Sequence, residues 1–288
     1  MDFSAPHQRI GALCTLSLLL EVSATPKPGL VDRLGSGAHT DMDFSTFLAS
    51  AAAIAPYFTA CAQAGLALPQ VDGASLGRIR PLGIACEKAM LAATGGVNTH
   101  KGAIFSLGIL ACAAGHCYTQ GEHSPEAVCA AAGGIAAPAL ADFSTPGEET
   151  KGQQLYQSQG IPGIRGEAAE GFPSVRRWAL PVLQELSGGN IPENHCHLQA
   201  LLHLMSNVRD TNLLARGGAE GLAYVQTTAQ KALALGGALT PEGMDYLHAL
   251  DRDYTRRNLS PGGCADLLAA AIFLHRLPTL FDERSRRL

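Results

Sequence analysis

The sequence predicts an all-α protein, a single compact multi-helix domain whose active site is built from helix ends and Gly-rich connecting loops. Three observations lead there. Alanine and leucine dominate, strict alternation of apolar and polar residues is rare, and no β-α-β rhythm occurs. With 288 residues, 47% of them hydrophobic and 16% charged, the chain can form a large buried interior, which a homodimer interface would extend.

The first helix is expected at 6–24. Residues 10–20 (I-G-A-L-C-T-L-S-L-L-L) look like a signal-peptide core. No lysine precedes them and no small-residue cleavage site follows, so they read as a helix. The next helix, 44–64, is capped by Asp43 or Ser45 and stopped near Gly65. Helices at 80–93, 100–117 and 124–138 follow, the last opened by Ser124-Pro125-Glu126, a capping hydroxyl ahead of proline. The stretch 139–171 is the least regular, rich in glycine and proline, and reads as a surface loop or a mobile lid. Arg165 and Glu167 in its I-R-G-E segment are unusual company for a passive linker. Helices are then expected at 172–187, 193–208, 216–235, 241–256 and 261–277, with Gly188-Gly189 and Gly236-Gly237 as stops and Thr240-Pro241-Glu242 as a start. No repeat or domain linker interrupts this order, so 1–288 reads as one catalytic domain.

A net charge of −4, with no basic run beyond Arg284, Arg286 and Arg287, argues against broad binding of nucleic acid or anionic membranes. No uninterrupted apolar run reaches the length that spans a bilayer. The eight cysteines include no C-x-x-C pair and lie mostly in apolar runs. They fit free thiols in a reducing cytoplasm better than a disulfide scaffold or a zinc site.

Four polar cassettes between the apolar stretches carry the chemistry. In T-P-K-P-G-L-V-D (Thr25 to Asp32), two prolines stiffen the backbone around Lys27, which limits the entropy lost when it grips an anion. Asp32 follows, and G-A-H-T-D-M-D then brings His39, Asp41 and Asp43 close together. In G-V-N-T-H-K-G (Gly96 to Gly102), Asn98 or Thr99 could cap the next helix, leaving free N–H groups, His100 and Lys101 to face a phosphate. It is not a Walker A loop. In D-T-N-L-L-A-R-G-G (Asp210 to Gly218), Asp210 and Asn212 can share a hard cation such as Mg²⁺, and Arg216 can bridge two phosphate oxygens; an N-cap aspartate with a surface arginine is the plainer alternative. In S-P-G-G-C-A-D-L-L (Ser260 to Leu268), a tight turn at Gly262-Gly263 exposes N–H groups, and Asp266 enters a very apolar helix. A carboxylate there calls for a partner or a metal, and Glu87 in A-C-E-K-A-M poses the same question.

At this point the chain resembles the triphosphoribosyl-dephospho-CoA synthase family. The resemblance rests on E-V-x-x-x-P-K-P-G-L-V-D-R with G-A-H-x-D-M, L-G-I-A-C-E, G-V-N-T-H-K-G-A-I-F-S-L-G, I-R-G-E-A, D-T-N-x-x-x-R-G-G and N-L-S-P-G-G-x-A-D-L-L, in order from Glu21 to Leu268. The form of the first two blocks is closer to the citrate-lyase branch than to the malonate-decarboxylase branch. Cys264 stands where a small residue, often serine, is expected.

The resemblance implies transfer of the triphosphoribosyl group of ATP to 3′-dephospho-CoA with loss of adenine. Under it, Lys27, Lys101 and Arg216 are assigned to the triphosphate, with Asn98, Thr99, Ser260 and the turns at Gly217-Gly218 and Gly262-Gly263. Asp210, Asp266 and Glu87 are assigned to Mg²⁺ arriving with ATP, assisted by Asn212. Asp41 or Asp32 is expected as base and His39 or His100 as acid. The rival readings are a Mg²⁺-dependent nucleotide N-glycosyl hydrolase and a non-catalytic nucleotide or CoA-binding protein.

Overall fold

A computed structural model of the chain describes residues 5–144, 154, 156, 157 and 160–281. Among these there is no strand. The helices are α1 Pro6–Ser23, α2 Phe44–Leu66, α3 Ser75–Ala93, α4 Lys101–Thr119, α5 Pro125–Ala136, α6 Gly163–Ala169, α7 Leu180–Leu186, α8 Glu193–Asn207, α9 Thr211–Ala234, α10 Pro241–Arg256 and α11 Gly262–Phe281. The all-α expectation holds.

Two helices form the centre. In α4 the residues from Ala103 to Ala114 are almost continuously buried, and α11 is buried from Leu267 to Leu274. A helix that is apolar all round has no solvent face and must be enclosed. Accordingly α4 packs on α1, α2, α5 and α11, while α11 packs on α1, α4, α7 and α8. The closest crossings use glycine. A Cβ on Gly65 of α2 would stand 2.0 Å from the Cys112 carbonyl of α4, and one on Gly115 would stand 2.2 Å from the Ala62 carbonyl. These backbones therefore approach more closely than any larger residue permits.

Among the described residues three helices have the length and composition to cross a bilayer, although no uninterrupted apolar run reaches that length. Within the fold, 72% of the relevant window is buried in α4, 56% in α11 and 28% in α2. All eight cysteines are unpaired and buried. Burial pushes the thiols of Cys61, Cys86, Cys112 and Cys129 up to about 12, which leaves them as inert packing groups.

Four expected elements differ. Helix α3 begins at Ser75, about one and a half turns before the expected start at 80, and carries Pro81 inside it. Helix α9 begins at Thr211 and runs through Arg216, so Gly217-Gly218 does not open it. Instead Gly218, at φ +63 and ψ −163, bends it in mid-course. That backbone conformation is open only to glycine. The helix expected over 172–187 is split. Pro181 has no N–H to give the Arg177 carbonyl, and the preceding turn widens into a π-helical stretch, Val175–Ala179, in which the Leu180 N–H reaches the Val175 carbonyl. Within the irregular stretch lie a 3₁₀ segment, Ala137–Ser144, and α6. The question of a lid falls largely on residues 145–159, most of which lie outside the described residues, as do Arg284, Arg286 and Arg287.

Candidate active site

The site forms where the C-terminal end of α1 and its following loop meet the N-termini of α4, α9 and α11. Three helix N-termini pointing into one region concentrate free N–H groups and positive dipole ends. Specific contacts knit the cassettes together. Asp266 lies against the start of α4, so close that a Cβ on Gly102 would stand 2.0 Å from its Oδ2. Asp210 caps α9 by accepting from the Asn212 N–H at 2.7 Å and the Leu213 N–H at 3.2 Å. Its other oxygen accepts from the Cys264 N–H of α11 at 2.8 Å. His39 lies 2.9 Å from the Ser260 hydroxyl and 3.1 Å from the Arg216 guanidinium.

The first cassette is buried. Lys27 is 1% exposed, and its ammonium is held by the carboxylate of Glu21, which is 4% exposed. Lys27 therefore differs from the anticipated solvent-facing grip. Glu21 is the residue the sequence reading left without a role. Its signal was present: a lone carboxylate at the end of an apolar helix has the same need for a partner that marked Asp266. Burial raises the Glu21 pKa, Lys27 opposes the shift, and Asp32 adds to it. Asp32 is also buried. It accepts from the backbone N–H of Lys27 at 2.9 Å, Leu34 at 2.7 Å and Gly35 at 3.2 Å. It is thus a clamp on the loop, and of the two carboxylates considered as base only Asp41 stays open, its side chain 60% exposed and 3.7 Å from His39.

The two histidines have different settings. Arg216 donates to Nδ1 of His39, which leaves Nε2 to carry the proton and donate to Ser260. Burial and the Arg216 charge lower its pKa. Arg216 also donates to the Ala38 carbonyl at 3.0 Å and the Asn258 side chain at 2.6 Å, tying loop, α9 and the turn before α11 together. His100 is buried, with Nδ1 2.7 Å from the Ser50 hydroxyl of α2. Thr99 donates its own hydroxyl to Ser50 at 2.7 Å. The Ser50 proton is then free for His100 Nδ1, so Nε2 carries the imidazole hydrogen. That Nε2 is buried and, among the described residues, has no hydrogen-bond partner. Burial and the nearby Lys27 lower the His100 pKa to about 3, so it is a neutral donor near pH 7 and not a charged acid.

Asn98 accepts from the Lys101 N–H at 3.1 Å and so serves the start of α4, whereas Thr99 serves Ser50. The Lys101 side chain is 51% exposed and pairs with Glu87 at 3.1 Å. Gly262 packs closely on Asn212, Gly263 on the Asp210 carboxylate and Gly217 on Leu259; these glycines permit close approach of neighbouring segments.

Of the three carboxylates assigned to a metal, Glu87 is tied to Lys101 and Asp210 is only 1% exposed, with its oxygens accepting three N–H groups. Among the described residues no three His, Cys, Asp or Glu side chains form a ligand set. Asp266 is different: it lies deep in the helix cluster yet keeps some accessible surface. Burial and the charges of Glu21 and Asp210 raise its pKa well above the carboxylate range, opposed by a hydrogen bond from the Ala103 backbone.

Comparison with known proteins gives a consistent picture. The family model described as "CitG: ATP:dephospho-CoA triphosphoribosyl transferase" matches residues 7–285. A 2-(5″-triphosphoribosyl)-3′-dephosphocoenzyme-A synthase from Pectobacterium atrosepticum is 43% identical over 267 residues, 91% of this chain and 87% of the relative. The enzyme of that name from Escherichia fergusonii is 42% identical over 283 residues, 93% of this chain and 91% of the relative. A crystal structure from Archaeoglobus fulgidus bearing the triphosphoribosyl-dephospho-CoA synthase name is 19% identical. It aligns with a TM-score of 0.47 over 80% of this chain and 98% of that one.

Proposed function

Because the chain belongs to the ATP:dephospho-CoA triphosphoribosyl transferase family, we propose that it moves the triphosphoribosyl group of ATP onto the 2′-hydroxyl of 3′-dephospho-CoA and releases adenine. The observation that carries this reading at the level of residues is the meeting of all four cassettes around Asp266 and His39. The product is the precursor of the citrate-lyase prosthetic group, a choice supported by P-K-P-G-L-V-D-R followed by G-A-H-T-D-M.

In the reaction the bond from C1′ to N9 of ATP breaks and a bond from C1′ to the acceptor oxygen forms. The departing adenine takes up a proton and the 2′-hydroxyl loses one. Positive charge develops on the ribose as the base leaves. Asp266, a deep carboxyl with some accessible surface, is the group to stabilise that charge once the developing cation offsets the negative neighbours that hold its proton. The exposed Asp41 and the partly buried His39 beside it handle the protons, and His100 Nε2 donates a hydrogen bond. Lys101, Arg216 and those N–H groups at the three helix starts that Asp210, Asn98 and Asp266 leave uncapped take the triphosphate. Magnesium that arrives with ATP needs only one or two protein carboxylates besides phosphate oxygens. Asp266 would supply one such carboxyl, and the ion would neutralise phosphate charge.

The reading is tested by incubating the protein with Mg-ATP, with and without dephospho-CoA, and following adenine by chromatography. Adenine that depends on both substrates is the expected result. Adenine from ATP alone would identify a hydrolase, and none at all a binding protein. Asp266→Asn is expected to lower kcat by ~10²–10³, the scale of one lost transition-state contact. The same change puts a neutral side chain of equal size where burial, Glu21 and Asp210 already disfavour an ionised carboxylate, so its thermal stability should equal or exceed that of the parent. Parental turnover in Asp266→Asn would remove Asp266 from the mechanism.

A further inference from the structure

His100 is engaged at every polar atom but one. Its backbone N–H lies 3.2 Å from the Met90 sulfur, its carbonyl accepts from the Ile104 N–H at 2.7 Å, and Nδ1 lies 2.7 Å from the Ser50 hydroxyl. Phe47 packs on the imidazole in a T-shaped arrangement, with ring centroids 4.9 Å apart. Only Nε2 is left. Among the described residues it is the one buried side-chain nitrogen or oxygen without a hydrogen-bond partner, on a residue 3% exposed. Leaving a buried donor unpaired costs free energy, and a half-satisfied polar network is worse than an apolar one. A side chain needed only to fill this space would be better apolar, so the unpaired atom points to a ligand that completes it.

The group that aims it comes from another segment. Ser50 is 0% exposed and is the one hydroxyl among the buried positions of α2. Its oxygen accepts from the Thr99 hydroxyl at 2.7 Å, so its own hydrogen turns to His100 Nδ1. The bond made by one ring nitrogen decides the form of the other. We propose that Ser50 is a positioning residue of the transferase: it fixes the orientation and tautomer of His100 so that Nε2–H is offered to a ring nitrogen of the departing adenine. The inference rests on the transferase reading and deepens it. His100 stands two residues before Gly102, which meets the Asp266 carboxyl, so both groups belong to the same end of α4. Negative charge builds on the base as the bond from C1′ to N9 breaks. A neutral donor aimed at the base therefore binds most tightly in the transition state, and its loss falls on kcat.

The test reads the tautomer and the kinetics separately. Protein labelled with nitrogen-15 histidine gives the imidazole resonances, and those of His100 are the ones missing from His100→Gln. At neutral pH the parent should carry the hydrogen on Nε2, with Nδ1 as an acceptor. Ser50→Ala should move these resonances toward the average of the two tautomers. It should also lower kcat by ~10²-fold, the scale of a misplaced catalytic group, while KM for ATP and for dephospho-CoA stays at the parental value. Thr99→Val keeps the shape of the side chain and drops the donor that orients Ser50, so it should give a smaller loss of the same kind. Should Ser50→Ala not fold, the parent spectrum and Thr99→Val decide. A hydrogen on Nδ1 in the parent, or parental kcat in folded Ser50→Ala, overturns the proposal. A rise in KM for ATP with kcat kept would place Nε2 on a group held equally in the ground state, such as a phosphate, and also overturns it. The nitrogen spectrum needs no turnover, so it stands apart from the adenine-release assay, whose failure would instead refute the transferase reading.

Discussion

Replacing Glu21 by alanine is expected to destabilise the protein by about 3–5 kcal/mol, the range found when one partner of a buried ion pair is removed. The cost comes from what remains. Lys27 is 1% exposed and its ammonium is held by Glu21. Without that carboxylate it must stay charged and unpaired, shed its proton, or pull the Thr25–Asp32 turn open toward water. The last course would disturb the clamp at Asp32, which holds the Lys27 N–H. Replacing both partners with neutral groups, Glu21→Gln with Lys27→Met, should restore most of the loss, because an uncharged pair needs no mutual neutralisation. Denaturant midpoints of the parent, the two single variants and the double variant measure this directly. If Glu21→Ala lay within about 0.5 kcal/mol of the parent, the pair would be a minor contact and the buried organisation of the loop would need another explanation.

Acid is expected to weaken the fold through His100. Its pKa is lowered to about 3 by burial and by Lys27, against an ordinary value near 6.5 in the unfolded chain. Between those values the unfolded chain binds a proton that the native protein refuses. Stability therefore falls as pH drops from about 6.5 toward 3, by ~5 kcal/mol at most from this one group. Below that window both states are protonated and the loss is complete. Glu21 and Asp266, whose pKa values are raised, act in the opposite sense, because they favour the native state as they gain protons. The informative quantity is thus the difference between variant and parent. His100→Gln removes the titration, so its unfolding free energy should vary less steeply over the same window, even though loss of the Ser50 contact lowers its stability at neutral pH. Parallel stability-versus-pH curves for the two proteins would show that His100 is not the neutral, enclosed group described.

The helices were legible because their causes are local. Ser124 and Thr240 cap helices that open with proline, and both starts fall where expected. Asp43 accepts from the Thr46 N–H and opens α2. Departures arose where one residue type has more than one use. The start expected at 80 gives way to one at Ser75, with Pro81 accommodated inside α3, and Gly218 reads as a boundary but serves as a bend. The cassettes were likewise legible as sites of close approach, since glycine beside charged groups has few other uses.

What the sequence by itself determined was an α-helical chain, its family, and the short segments that carry its polar chemistry. The tertiary structure decided which side chains in those segments are free to react. Asp32 and Asp210 are closed in by backbone N–H groups and Lys27 by Glu21, whereas Asp266 keeps some accessible surface. Helix formation and capping depend on neighbours a few residues apart, which a sequence displays. The protonation and availability of a carboxylate depend on burial and on charges brought from distant segments, and those exist only once α1, α4, α9 and α11 have packed.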